Sequence, residues 1–170
     1  LKGLGTIITI WDKIVVLLYL LSGLLLFVTY YYALLPIAVI HKLFVAFGIG
    51  WSFMLYGLFY KKLKQPFIVT SFIVFSIIQI IIYVSFKNES IFFDRIGGTY
   101  LSTLLFLPAM LISYHLFNLL NRFIYKDDLI ITGPGNRLGQ PQNGRKIRTL
   151  DFVFSFAGAL LFLFGVTILF

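Results

Sequence analysis

The sequence predicts an all-α, polytopic integral membrane protein with about five transmembrane helices, the N-terminus inside and the C-terminus outside. Three observations predict it: apolar runs close to 20 residues long, too little charge to coat a globule, and a one-sided distribution of Lys and Arg. Of the 170 residues, 60% are hydrophobic and 12% are charged, with a mean hydropathy of +0.98. Soluble domains carry about twice that charge, roughly 25%. A bilayer removes the need for a charged coat, because lipid solvates apolar side chains. It also forces backbone groups to pair within the segment, which leaves helices or a closed barrel. A barrel would show ~10-residue segments of alternating polarity. The runs here are continuous, so helices are expected.

The whole chain, 1–170, reads as a single membrane domain with no internal repeat and no linker. The first span is expected at 14–33, long enough for a hydrocarbon core of about 30 Å at ~1.5 Å per residue. It is too long for the apolar region of a signal peptide and reads as a mature helix. Tyr30, Tyr31 and Tyr32 close it, where amphipathic rings favour the headgroup level. A tight turn near Leu34–Pro36 starts a second span at 36–60, because proline suits a first helical turn. Lys61, Lys62, Lys64 and Pro66 end it. The third span, 67–86, is rich in β-branched residues, but its length without a turn signal argues for a membrane helix. A short polar loop with KNES at 87–90 follows, and IFF at 91–93 is expected in the interface. The fourth span is expected at 99–121, with Pro108 as a kink. Residues 124–149 form the one substantial loop, dense in Gly, Pro, Asn and Gln, and regular structure is not expected there. The last span is 151–170.

Orientation follows from charge. With five spans, the N-terminus and the second and fourth loops share a side. That side carries Lys2, Lys13, Lys61, Lys62, Lys64, Arg122, Lys126, Arg137, Arg145, Lys146 and Arg148, eleven of the fourteen basic residues. The other side has Lys42, Lys87 and Arg95. The positive-inside rule places the richer side inside. The same bias accounts for the net charge of +8 and the pI of about 9.8, so no nucleic-acid partner is expected.

Little in the chain points to chemistry. With no cysteine, disulfides, thiolate metal sites and a cysteine nucleophile are excluded. The acids Asp12, Glu89, Asp94, Asp127, Asp128 and Asp151 all fall at span ends or in loops. An ion-coupled transporter usually keeps an ionisable residue at membrane depth. His41 and His115 differ in expected depth by about 10–15 Å, too far to share one haem iron. No metal and no cofactor are therefore expected in the isolated chain.

His115, Asn118 and Arg122 recur at i, i+3 and i+7 and share a helix face, with Asn121 on its flank. With Arg145, Lys146 and Arg148 of the inner loop, they are the candidate contacts for a lipid headgroup or other anionic ligand. The bland reading is polar contact with neighbouring helices. The His115-x-x-Asn118 spacing shares two positions with the succinate dehydrogenase membrane anchor. Leu119, Asn121 and Arg122 depart from its pattern, so no family is assigned. Asp127 and Asp128 resemble half of a Mg²⁺–diphosphate site, but such a site needs more carboxylates and a solvated helix end is the simpler expectation. Gly133-Pro134-Gly135 with Gly139 lacks the ending of a phosphate loop and reads as a turn. Gln79 stands alone at mid-span as packing glue. Ala46, Gly50 and Gly57 on the second span, and Ser155, Gly158 and Gly165 on the fifth, form small-residue packing faces.

The function expected from this pattern is a non-catalytic integral membrane subunit with an assembly or scaffolding role. Its partners would be membrane lipids and other subunits or copies of itself, in a bacterial or organelle inner membrane. The alternatives are a small homo-oligomeric transporter or channel, and an enzyme acting on a lipid or polyprenyl phosphate at the inner leaflet.

Overall fold

The computed structural model describes residues 9–88, 100–132, 137–142 and 145–169. Five α-helices follow in order: α1 (Ile10–Tyr31), α2 (Ile37–Gly57), α3 (Pro66–Phe86), α4 (Phe106–Tyr125) and α5 (Thr149–Leu169). Short 3₁₀ turns at Lys62–Lys64 and Tyr100–Leu105 lead into α3 and α4. Among the described residues, four helical segments are long and apolar enough to cross a membrane: Ile10–Tyr31, Ile37–Gly57, Pro66–Phe86 and Tyr100–Tyr125. That composition suits a multi-pass membrane protein. In α5 the apolar stretch so described is Thr149–Leu161.

Local chemistry sets the helix ends. Thr9 caps α1: its hydroxyl accepts from the Asp12 amide, and the Asp12 carboxylate accepts from the Thr9 amide at 2.8 Å. This reciprocal box satisfies two amides that a helix start otherwise leaves unpaired. Between α1 and α2 the chain reverses through Ala33, which takes a left-handed φ of 48°. Pro36 lies one residue before α2 and its carbonyl accepts from Val39 at 2.8 Å. Pro66 opens α3, where its missing N–H costs nothing. Pro108 occupies the third position of α4. It therefore lies in the first α-turn, directly after the 3₁₀ segment, rather than inside a long α-helix as the sequence led us to expect.

The most buried helix is α4. Leu107, Met110 and Tyr114 are fully or almost fully enclosed, while Leu17, Leu21 and Leu25 of α1 and Ile77, Ile81 and Val84 of α3 face outward. Two glycines permit close approach. A Cβ at Gly48 would collide with the Thr103 carbonyl, and one at Gly158 with the Tyr56 hydroxyl. The Thr103 hydroxyl donates to the Phe44 carbonyl at 3.1 Å, which ties α2 to the 3₁₀ turn. The Tyr56 hydroxyl donates to the Ser155 carbonyl at 2.8 Å and ties α2 to α5.

The loop after α4 is more ordered than its composition suggested. Leu129, Ile130, Ile131 and Ile147 are buried. Pro141–Gln142 pairs antiparallel with Arg145–Lys146 as a two-residue hairpin. Gly139 turns the chain at a φ of 77°, a conformation glycine adopts without a Cβ clash. The sequence motifs at 91–93 and Gly133-Pro134-Gly135 lie outside the described residues, as do Glu89, Asp94 and Arg95.

Candidate functional site

Charge collects at one end of the bundle, where α1 begins, α2 turns into α3, α4 ends and α5 begins. Lys62 Nζ meets the Asp12 carboxylate at 2.6 Å, and Lys64 meets Asp128 at 3.0 Å. Arg122 Nε reaches Asp128 at 2.6 Å, and Arg148 reaches Asp127 at 2.9 Å. The centre of this cap is Asp151, which is wholly buried. Both of its oxygens accept from the Arg145 guanidinium at 2.7 Å, a bidentate pair. The same carboxylate accepts from the amides of Ile130 at 3.1 Å and Arg148 at 2.9 Å. One carboxylate thus fastens both arms of the loop to the start of α5.

The sequence-selected residues fall on this cap in different roles. The Asn118 side-chain oxygen accepts from the Leu129 amide at 2.8 Å, and Asn121 donates to the Asp127 carbonyl at 2.9 Å. Both asparagines are buried, whereas Arg122 is exposed and turned to Asp128. His115, Asn118 and Arg122 therefore do not converge on one pocket. His115 is half-buried, beside the Tyr114 ring at 5.2 Å. Arg145 also donates to the Asp128 carbonyl at 2.8 Å. Lys146 is exposed on the hairpin. Arg148 lies over the Tyr125 ring at 4.3 Å, a cation–π contact.

Burial works to raise the Asp128 carboxyl, but hydrogen bonds from Arg122 and Lys64, and their charge, outweigh it. The group is held below the usual carboxylate range. Hydrogen bonding to Asp151 raises Arg145 above the ordinary guanidinium value, against the effect of burial. Both shifts favour the charged forms that hold the cap. Among the described residues no three His, Asp or Glu side chains come together as metal ligands.

The small residues divide. Gly158 packs against Tyr56 and Phe117 within the chain. The Ser155 hydroxyl accepts from the Thr132 amide at 2.9 Å and donates to the Asp151 carbonyl, so it belongs to the cap. A Cβ at Gly50 or Gly57 would meet nothing within 4 Å. Ala46 and Gly50 line an apolar cavity of about 530 Å³ between α1 and α2. Gly165 lies on α5, and its surroundings fall outside the described residues. His41 stacks on Tyr100 with ring centroids 4.1 Å apart.

Sequence reasoning missed the roles of Asp12, Lys62, Lys64 and Asp151. It also missed the partner of Gln79, whose amide donates to the Tyr19 hydroxyl at 2.5 Å. One signal was readable: Thr9-x-x-Asp12 ahead of an apolar run is a capping-box pattern. The other pairs join residues on different elements and leave no periodic trace. Compared with models of known protein families, with curated proteins and with solved structures, the chain matches none.

Proposed function

We propose that this chain is a non-catalytic integral membrane subunit of a larger membrane complex, with an assembly or scaffolding role. The observation that carries the proposal is the engagement of its acids. Each of the four described carboxylates, Asp12, Asp127, Asp128 and Asp151, is in an ion pair. Each of the four holds a cation of the cap, so none stands apart as an unpaired acid. What the helices offer to a partner is apolar surface and a few uncovered small residues. Gly50 of α2 is one: without a side chain it allows another helix to come close. The proposed arrangement has five spans, N-terminus inside and C-terminus outside, in a bacterial or organelle inner membrane. The cationic surplus of the cap then faces anionic headgroups of the inner leaflet.

Native mass spectrometry from nanodiscs tests this. The expected result is a complex of this chain with another subunit or a second copy, weakened roughly tenfold or more by Gly50→Leu, the scale of an overpacking cost. A bare monomer with full solute transport or lipid turnover would overturn it.

A second reading, an enzyme acting on a lipid or polyprenyl phosphate at the inner leaflet, is favoured by one observation. Tyr114 Oη, His115 Nε2 and Asn121 Oδ1 on α4 are buried polar atoms without a hydrogen-bond partner. Loss of a lipid-modifying activity in His115→Ala would favour this reading over the first.

A further inference from the structure

We propose that the furrow between α1 and α3 binds a hydroxyl-headed molecule with a hydrocarbon tail, taken up sideways from the membrane. The inference does not depend on the subunit reading above. It starts from Gln79, in the middle of α3, which is 5% exposed. Its amide nitrogen is used by Tyr19, and its Oε1 has no partner. Tyr19 is equally buried. Because its oxygen accepts from Gln79, its own proton remains to be donated. The pair therefore offers an acceptor, Gln79 Oε1, and a donor, the Tyr19 O–H, side by side, with the second amide N–H of Gln79 next to them. Turning the amide over exchanges which residue supplies which, and still leaves both an acceptor and a donor. A hydroxyl group accepts and donates at once, so it completes this pair in either arrangement. A hydrocarbon chain cannot.

The space beside the pair suits such a head. A cavity of about 390 Å³ is lined by Tyr19, Gly23, Phe47, Phe75 and Gln79, within the size range of small-molecule sites. Gly23 lies one turn beyond Tyr19, and a Cβ there would come within 3.3 Å of the Phe47 ring. The absent side chain keeps the slot open above the polar pair. Phe75 stacks on Tyr19 with centroids 5.1 Å apart, and Phe47 lies at the same distance. Aromatic walls around one polar pair favour a ring that carries the hydroxyl. Leu20, Leu24 and Ile78 border the cavity and are exposed on the outer faces of their helices. The mouth therefore opens toward hydrocarbon.

The tail has a path. A second cavity, of about 400 Å³, shares Leu24, Phe27 and Ile82 with the first and continues to Tyr31 and Tyr32. From Tyr19 to Tyr31 is about 18 Å of helix at ~1.5 Å per residue. The furrow thus joins a polar point at mid-membrane to the aromatic end of α1, and its walls between are apolar.

The test uses the full chain in phosphatidylcholine nanodiscs, with Trp11→Phe so that Trp51 is the sole tryptophan. Trp51 packs edge-on against Tyr19 at 5.2 Å and reports on the cavity. The probes are 4-octylphenol and octylbenzene, which differ by the hydroxyl, compared at equal mole fraction in the bilayer. The expected result is saturable binding of the phenol, tighter than the hydrocarbon by about tenfold, the scale of one desolvated hydrogen bond. In Gln79→Leu the phenol should lose that advantage while octylbenzene binding persists. Equal binding of the two probes by the otherwise unaltered chain, or no saturable response to the phenol, would overturn the proposal. If Gln79→Leu does not fold, the two-probe comparison decides alone, with Tyr19→Phe as the second variant.

Discussion

Replacing Asp151 with alanine tests whether one buried carboxylate holds the cap. Asp151 has no exposed surface and the Arg145 side chain is 16% exposed. The change would leave the Arg145 guanidinium without its bidentate partner and the Ile130 and Arg148 amides without an acceptor. Removing one member of a buried ion pair costs about 3–5 kcal/mol. Each orphaned amide would add about 1–3 kcal/mol if it stayed dry. The loop can instead open to water, which limits the total, so the expected loss is about 3–5 kcal/mol. Asp128→Ala is the control. Its carboxylate is 37% exposed, and a pair so accessible to solvent is worth about 1 kcal/mol or less. Two assays read the difference: unfolding in mixed micelles, and the rate of trypsin cleavage after Arg145 and Arg148 under native conditions. Cleavage should speed up by a hundredfold or more in Asp151→Ala, as the open population rises, and by less than about tenfold in Asp128→Ala. Arg145→Met combined with Asp151→Leu should recover part of the loss, since it removes both charges. If Asp151→Ala and Asp128→Ala are indistinguishable, the cap is not organised around Asp151.

Gly158→Leu should destabilise the isolated chain by about 1–3 kcal/mol, because its side chain must displace Tyr56 or Phe117; Gly50→Leu should leave unfolding in micelles unchanged. Single cysteines at Lys61 and Gly139 should react with a membrane-impermeant reagent from the inner side and one at Leu34 from the outer side; labelling of Leu34 and Gly139 from the same side would remove the topology. The lowered Asp128 carboxyl stabilises the fold at neutral pH. That contribution is fully present above the ordinary carboxylate value of 3.8 and is lost as pH falls through the lower folded-state value. The micelle unfolding midpoint should therefore fall below about pH 4 in the native chain, and fall less steeply in Asp128→Asn.

The helices were legible because their signals are local. Apolar length placed α1 and α3 to within a few residues and Pro36 marked the start of α2, while Pro66, read as the end of the second span, opens α3. The site was less legible because it depends on which side chains meet across elements. Asn118 and Arg122 share a helical repeat, yet one accepts from the buried Leu129 amide and the other pairs with an exposed acid. Gly48 and Gly50 look alike in sequence. One is pressed against Thr103 and the other faces open space, a difference set by the 3₁₀ turn at Tyr100–Leu105. The loop composition signalled turns correctly at Gly139, but its buried Ile130, Ile131 and Ile147 needed the end of the bundle to cover them.

The central place of α4 has a consequence for biogenesis. The helix that fills the middle comes fourth in the chain, so α1, α2 and α3 are made around an unfilled slot. During that interval the parts of α2 and α3 that touch α4 in the finished bundle border a space that α4 has yet to occupy. The arrival of α4 closes the slot but not the cap, because the Ile130 amide and Arg145 wait for Asp151, which follows them in the chain. Chain order thus makes the seam at the start of α5 the last one sewn. A chain truncated before residue 149 would hold a bundle whose first four helices have met and whose cap has nothing to fasten to.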